Sequence, residues 1–170
     1  KFLKKNIGKK QYNGKFSDSI FKSFEGRKDP FILFAHIGVP HPPYFFDKNC
    51  NFRTIPKNEI TVNNLLITDK KSRLEGYKNN LMCSSKIINE TVKKIISYDK
   101  DPLIVVFSDH GPHLNHDKNT NDLNLIEDAH SSLLAIKPNK KCSSNSFENF
   151  FHVNIFRYIL NCLGEKKIEI

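Results

Sequence analysis

Glycine is sparse, seven in 170 residues with no repeat, which excludes a collagen-like chain. No heptad of apolar residues is sustained, so a coiled coil is excluded too. No apolar run approaches the ~20 residues that a membrane-spanning helix needs, so any membrane anchor lies outside these residues. The opening, KFLKKNIGKK, lacks the apolar segment of a signal peptide, and no Met precedes Lys1. Those two absences are expected of a piece of a longer protein or of a processed product. No two of the four cysteines (Cys50, Cys83, Cys142, Cys162) are close, which removes zinc-finger spacing. Arginine is scarce: Arg27, Arg53, Arg73 and Arg157 stand against a lysine-rich background. The net charge of +9 and pI near 9.4 would attract an anionic partner such as a membrane surface or a phosphorylated substrate. The lysines are spread along the chain and not interleaved with aromatics, so no nucleic-acid partner is expected; a basic nucleic-acid-binding domain is the weakest alternative.

What is present is a globular composition. Hydrophobic residues make up 38% of the chain and aromatics 11%, including 14 Phe. At this length a domain buries about 68–70% of its unfolded surface. Residues 1–16 read as a basic, flexible lead-in. A short helix is expected from Ser17 to Gly26, with Ile20, Phe21 and Phe24 on one face. Phe31–Ile37 (FILFAHI) has the length and content of a buried parallel strand. Within it, His36 reads as a satisfied core histidine. Gly38 to Leu66, with Pro40, Pro42, Pro43 and Pro56, is a long loop of the kind that carries function. Residues 74–98 repeat apolar positions at helical spacing. Leu103–Phe107 (LIVVF) is the clearest strand and Leu133–Ile136 a third. Residues 112–128 read as polar and irregular, and Phe147–Leu163 as a buried helix. The order of elements is α/β, with a mostly parallel sheet flanked by helices.

Two apolar strands run into clusters that can do chemistry. FILFAHI leads into Gly38-Val39-Pro40-His41-Pro42-Pro43-Tyr44, and LIVVF into Ser108-Asp109-His110-Gly111-Pro112-His113. In α/β sheets, ligands bind outside the carboxyl ends of the strands. Past a strand end the chain can turn, so Asp109 and His110 can converge on one cation. A carboxylate oxygen with an imidazole nitrogen suits Zn²⁺ or Mn²⁺. The plainer reading makes Asp109 a turn cap and His110 a surface histidine. His41 sits among prolines that fix φ, which makes a rigid mount for a group that meets a phosphate or a metal.

FILFAHIGVPHPPY, the helix with Tyr77 and Cys83, SDHG (Ser108–Gly111) and VNIFRYILNCLG (Val153–Gly164), taken in that order, resemble the alkaline phosphatase superfamily. The sulfatase-like branch, with the lipoteichoic acid synthases and phosphoethanolamine transferases, is the most similar. The resemblance covers residues 17–164 as the C-terminal half of such a domain, leaving 165–170 as a tail. It implies an incomplete α/β fold whose N-terminal half is the partner. It makes Asp109 and His110 metal ligands and His41 the histidine on the substrate. His113, His116 and His130 are candidates for one further contact. The cofactor implied is a divalent metal, Zn, Mn, Mg or Ca. The substrate is a phosphate or sulfate ester, such as a lipid head group or surface polysaccharide. The activity is hydrolysis or transfer, with a nucleophilic Thr, Ser or modified Cys expected before residue 1. No Cys-x-Pro-x-Arg motif occurs within the chain. A non-catalytic module of the same fold is the alternative. The resemblance also implies an extracytoplasmic place, periplasmic or at the cell surface, on a membrane-anchored parent. There disulfides persist. Four cysteines allow three pairings, and this setting favours Cys50–Cys83 with Cys142–Cys162.

Overall fold

A helix forms where apolar residues return every three or four positions, and α1 (Lys15–Phe24) shows this directly. Phe16, Ile20 and Phe24, one turn apart, are its buried stripe, joined by Ser17. The computed structural model describes residues 15–54, 70–112, 114, 122–142 and 152–164. The lead-in up to residue 14, the tail from 165, residues 55–69, His113 and His116 lie outside the described residues. Two compact units divide the chain at Lys94–Ile95.

In the first unit α1 meets the long helix α2 (Lys70–Tyr98). Lys94 Nζ pairs with Asp18, and the Ser17 hydroxyl lies 3.4 Å from Glu90 Oε2. Gly26, at φ +80°, ends the first helix in a conformation that glycine adopts without strain. The buried face of α2 is unusually polar: Arg73, Gly76, Asn80, Cys83, Ser84, Ile87 and Thr91. It holds the loop from Tyr44 to Arg53. Phe46 and Phe52 form an isolated antiparallel bridge in that loop, with ring centroids 4.7 Å apart. Cys50 bonds to Cys83, with Cα atoms 5.0 Å apart.

Phe31–Ile37 departs from expectation. It forms no strand and is exposed, with Ile32 81% and Phe34 61% accessible. His36 is exposed with it and is not a core histidine. A ladder needs a neighbouring backbone, and the described residues of this unit offer the segment none. Phe31 instead stacks on Phe24, centroids 5.5 Å apart, beneath the Arg27 guanidinium.

In the second unit β1 (Ile104–Phe107) pairs with β2 (Leu134–Lys137). The pairing is antiparallel, from Ile104↔Lys137 to Phe107↔Leu134. The expected mostly parallel sheet is therefore corrected to this two-stranded antiparallel ladder among the described residues. The connection between the strands contains α3 (Asp122–His130), part of which had read as irregular. Its Leu123 and Ile126, three residues apart, are exposed. A 3₁₀ turn, His152–Asn154, leads into α4 (Ile155–Leu163). This helix was expected to be buried, but only Ile155 is; Phe156 is 57% exposed. Cys162 on α4 bonds to Cys142, which is fully buried, with Cα atoms 5.1 Å apart. Among the described residues, no helix is long and apolar enough to cross a membrane.

Candidate functional site

The Asp109-His110 pair follows β1 directly, and the antiparallel ladder sets its surroundings. Beyond Phe107 the pairing continues: the Ser108 N–H donates to Leu133 O at 3.0 Å. The Leu133 N–H donates to Ser108 Oγ at 2.8 Å, and the Gly111 N–H to Ala129 O at 2.7 Å. Residues 108–111 thus run antiparallel to 129–133, and His130 lies on the chain between the two anchoring points. Gly111 permits this approach. A Cβ there would lie 3.2 Å from Ala129 O, 3.0 Å from the Asp128 carbonyl carbon and closer still to Asp128 O.

The ring of His110 is oriented by its own loop. Its Nδ1 lies 2.6 Å from Gly111 O. A carbonyl oxygen only accepts, so Nδ1 carries a proton and Nε2 is the nitrogen turned toward Asp109. That Nε2 stands 3.7 Å from Asp109 Oδ2. The other carboxylate oxygen, Oδ1, accepts the His110 N–H at 3.1 Å. The imidazole Nε2 and one carboxylate oxygen are thereby brought together, with the far ring nitrogen fixed on a carbonyl. This is the usual way a metal-ligating histidine is held. The Asp109 side chain is 86% exposed and that of His110 45%, so both reach solvent. The donor set suits a divalent cation as two of its ligands. Among the described residues, no group of three or more His, Cys, Asp or Glu gathers to complete such a site.

His41 belongs to the first unit and is exposed. Its Nδ1 lies 2.5 Å from Pro42 O, so the same argument leaves Nε2 as the outward nitrogen. Its loop is fixed from the C-terminal side. Tyr44 O accepts the Arg53 Nε–H, and Phe45 O accepts the Arg53 N–H at 3.0 Å. Asn80 Nδ2 donates to Phe46 O at 3.1 Å, and Lys86 Nζ to Lys48 O at 2.9 Å. Asp47 folds the loop tip. Its carboxyl is held below the ordinary carboxylate range by the Asn51 N–H, then by the Asn51 side chain and the Asn49 N–H, against a small opposing effect of desolvation.

Sequence reading pointed to His41, Asp109 and His110 but not to the residues that hold them. Gly76 and Asn80 had one visible signal, since a glycine and an asparagine inside a helix cost helix propensity and need a reason; Arg53 had none. His130 was one of three candidates, and the register of β1 against β2 draws its backbone to the pair. The idea of two parallel strands delivering His41 and Asp109-His110 to one sheet edge does not hold in that form, since Phe31–Ile37 is not a strand.

Comparison with known proteins adds the family. No curated protein and no solved structure matches. The sequence model of the sulfatases matches residues 4–165, nearly the whole chain. That family has the α/β fold of the alkaline phosphatase superfamily, acts on sulfate or phosphate esters and generally uses a divalent metal. With a match of that extent, this chain belongs to the sulfatase family.

Proposed function

We propose that the chain carries part of the active site of a metal-dependent phosphoryl- or sulfuryl-ester hydrolase or transferase. Asp109 and His110 are two of the metal ligands, His41 contacts the transferred group, and His130 supplies a further contact beside the pair. The supporting observation is the Asp109–His110 geometry: a carboxylate oxygen and the His110 Nε2 3.7 Å apart just past the end of a strand. A divalent cation bound there would supply charge neutralisation of the ester oxygens and a lowered pKa for the attacking group.

The chain's own residues do the rest. Gly111 O holds the His110 Nδ1–H, so Nε2 is the nitrogen that would meet the cation. Ser108 and Gly111 fix the loop to the 129–133 segment, so its backbone need not be ordered when the cation arrives. His41 contacts an anionic oxygen only by donating from Nε2. With Nδ1 on Pro42 O, Nε2 is the nitrogen free to make that contact. The nucleophile and remaining ligands are proposed to come from the N-terminal half of the same domain, on a membrane-anchored, extracytoplasmic parent of the lipoteichoic acid synthase or phosphoethanolamine transferase type. Lipid head groups and surface polysaccharides are the proposed substrates. The two disulfides are compatible with that compartment.

The test is metal content and turnover in the parent protein. Asp109→Ala and His110→Ala should each lose the metal and the activity while the fold persists. His41→Ala should keep the metal and lower turnover by roughly 10²–10³, the effect of one lost transition-state donor. Full metal occupancy in both Asp109→Ala and His110→Ala would overturn the assignment. A panel of phosphate and sulfate esters then separates the two ester classes.

A further inference from the structure

We propose that the polar face of α2 positions His41, with Gly76 and Asn80 as positioning residues for the His-Pro-Pro-Tyr loop. The proposal rests on the reading of His41 as the substrate histidine. It begins with a close approach that only glycine allows. Tyr44, 5% exposed, lies directly on the backbone of α2 at Gly76. A Cβ at residue 76 would stand 2.9 Å from Tyr44 Cγ and 3.1 Å from Cε2, with Cδ2 nearer still. These are ring atoms of a buried side chain, which cannot swing away as the end of a lysine would. One turn on, Asn80 is 1% exposed. Its Nδ2 bridges Phe46 O at 3.1 Å and Gly76 O at 3.0 Å, tying the loop backbone to the helix backbone.

Every second residue of the loop then meets α2: Tyr44 at Gly76, Phe46 at Asn80, Lys48 O at Lys86 and Cys50 at Cys83. Between the first of these anchors and His41 lie only Pro42 and Pro43. Their fixed φ angles leave little freedom to absorb a shift at Tyr44. Displacement of the Tyr44 ring is therefore transmitted to the imidazole. A polar, glycine-bearing helix face is a poor choice for core stability, because it gives up apolar burial and helix propensity. It is a suitable choice for fixing a backbone in one register through directional bonds.

The test follows the ring C–H cross-peaks of the seven histidines in the disulfide-bonded chain, with His41 assigned from His41→Gln. In Gly76→Ala the His41 peak should move while those of His110 and His130 stay. Asn80→Ala removes an anchor without adding bulk, and should also move the His41 peak; it keeps the test alive if Gly76→Ala does not fold. In the parent protein Gly76→Ala should lower kcat by roughly 10- to 100-fold with KM unchanged, the effect of misplacing a reacting group by about an ångström. A His41 peak unmoved in either folded variant overturns the proposal. So does an unchanged kcat in Gly76→Ala when His41→Ala lowers it. If His41→Ala itself leaves turnover intact, the substrate reading has failed, and the cross-peaks alone decide the positioning.

Discussion

The Cys50–Cys83 bridge closes a loop whose ends are 33 residues apart. Opening it frees the unfolded chain far more than the folded one. The loop-closure relation gives about 12.5 cal/mol/K for that length, or ~3.7 kcal/mol at 25 °C. The Cys142–Cys162 bridge spans 20 residues, for which the same relation gives ~3.3 kcal/mol. Cys83 and Cys142 are fully buried, so each is best replaced by Ala, which leaves no hydroxyl without a partner, and the other two by Ser. Guanidinium unfolding of Cys50→Ser/Cys83→Ala should show a loss of about 3–4 kcal/mol, and of Cys142→Ala/Cys162→Ser slightly less. A loss under about 1 kcal/mol for the first pair would refute the reasoning. It would mean that the bridge does not restrict the unfolded chain, or that the loop from Tyr44 to Arg53 does not rest on α2. His41 ring signals in the bridge-free variant separate those two cases.

Gly111→Ala should destabilise the second unit by about 1–3 kcal/mol, because the new methyl would press on a backbone oxygen of α3; its thermal melt, with metal uptake by the Asp109-His110 pair, checks this. Asp18 and Asp47 both have lowered pKa values, Asp18 through its hydrogen bond and charge pairing with Lys94. Depressed carboxylates contribute stability that is present above the unfolded pKa and lost as pH falls through the lowered, folded one. The denaturant midpoint should therefore fall below about pH 4. Asp47→Asn should flatten that fall, and a pH series of urea melts reads it. Phe46→Ala should cost about 3–5 kcal/mol, since its ring is 2% exposed, as measured by the same melts.

Local pattern carried the helices well. Leu74, Tyr77, Leu81 and Ile88 marked α2 because helical periodicity is a property of adjacent turns. The faces were less legible: Leu81 is exposed, whereas Arg73 and Asn80 are buried. The loop that α2 covers decides that, and its contacts lie 30 or more residues away in sequence. LIVVF was readable as a strand from composition, but its direction depends on which backbone it meets. FILFAHI is similarly apolar and has no ladder, so composition alone does not make a strand. Asp109, His110 and His41 were legible because their chemistry is local. The link of His130 to the pair came only with the register of β1 against β2. α3 escaped notice because the helix has only nine residues, too few for its apolar positions to repeat over several turns.

The order in which the cysteines pair has a consequence for biosynthesis. Cys50 bonds with Cys83 and Cys142 with Cys162, so of these two bridges neither encloses or crosses the other. In a chain that emerges N-terminus first, Cys50 and Cys83 are exposed before Cys142 and Cys162, so the earlier bridge can close without competition from the later pair. The later pair then has only itself to find. Among these four cysteines, oxidation in the order of synthesis gives the observed connectivity without reshuffling.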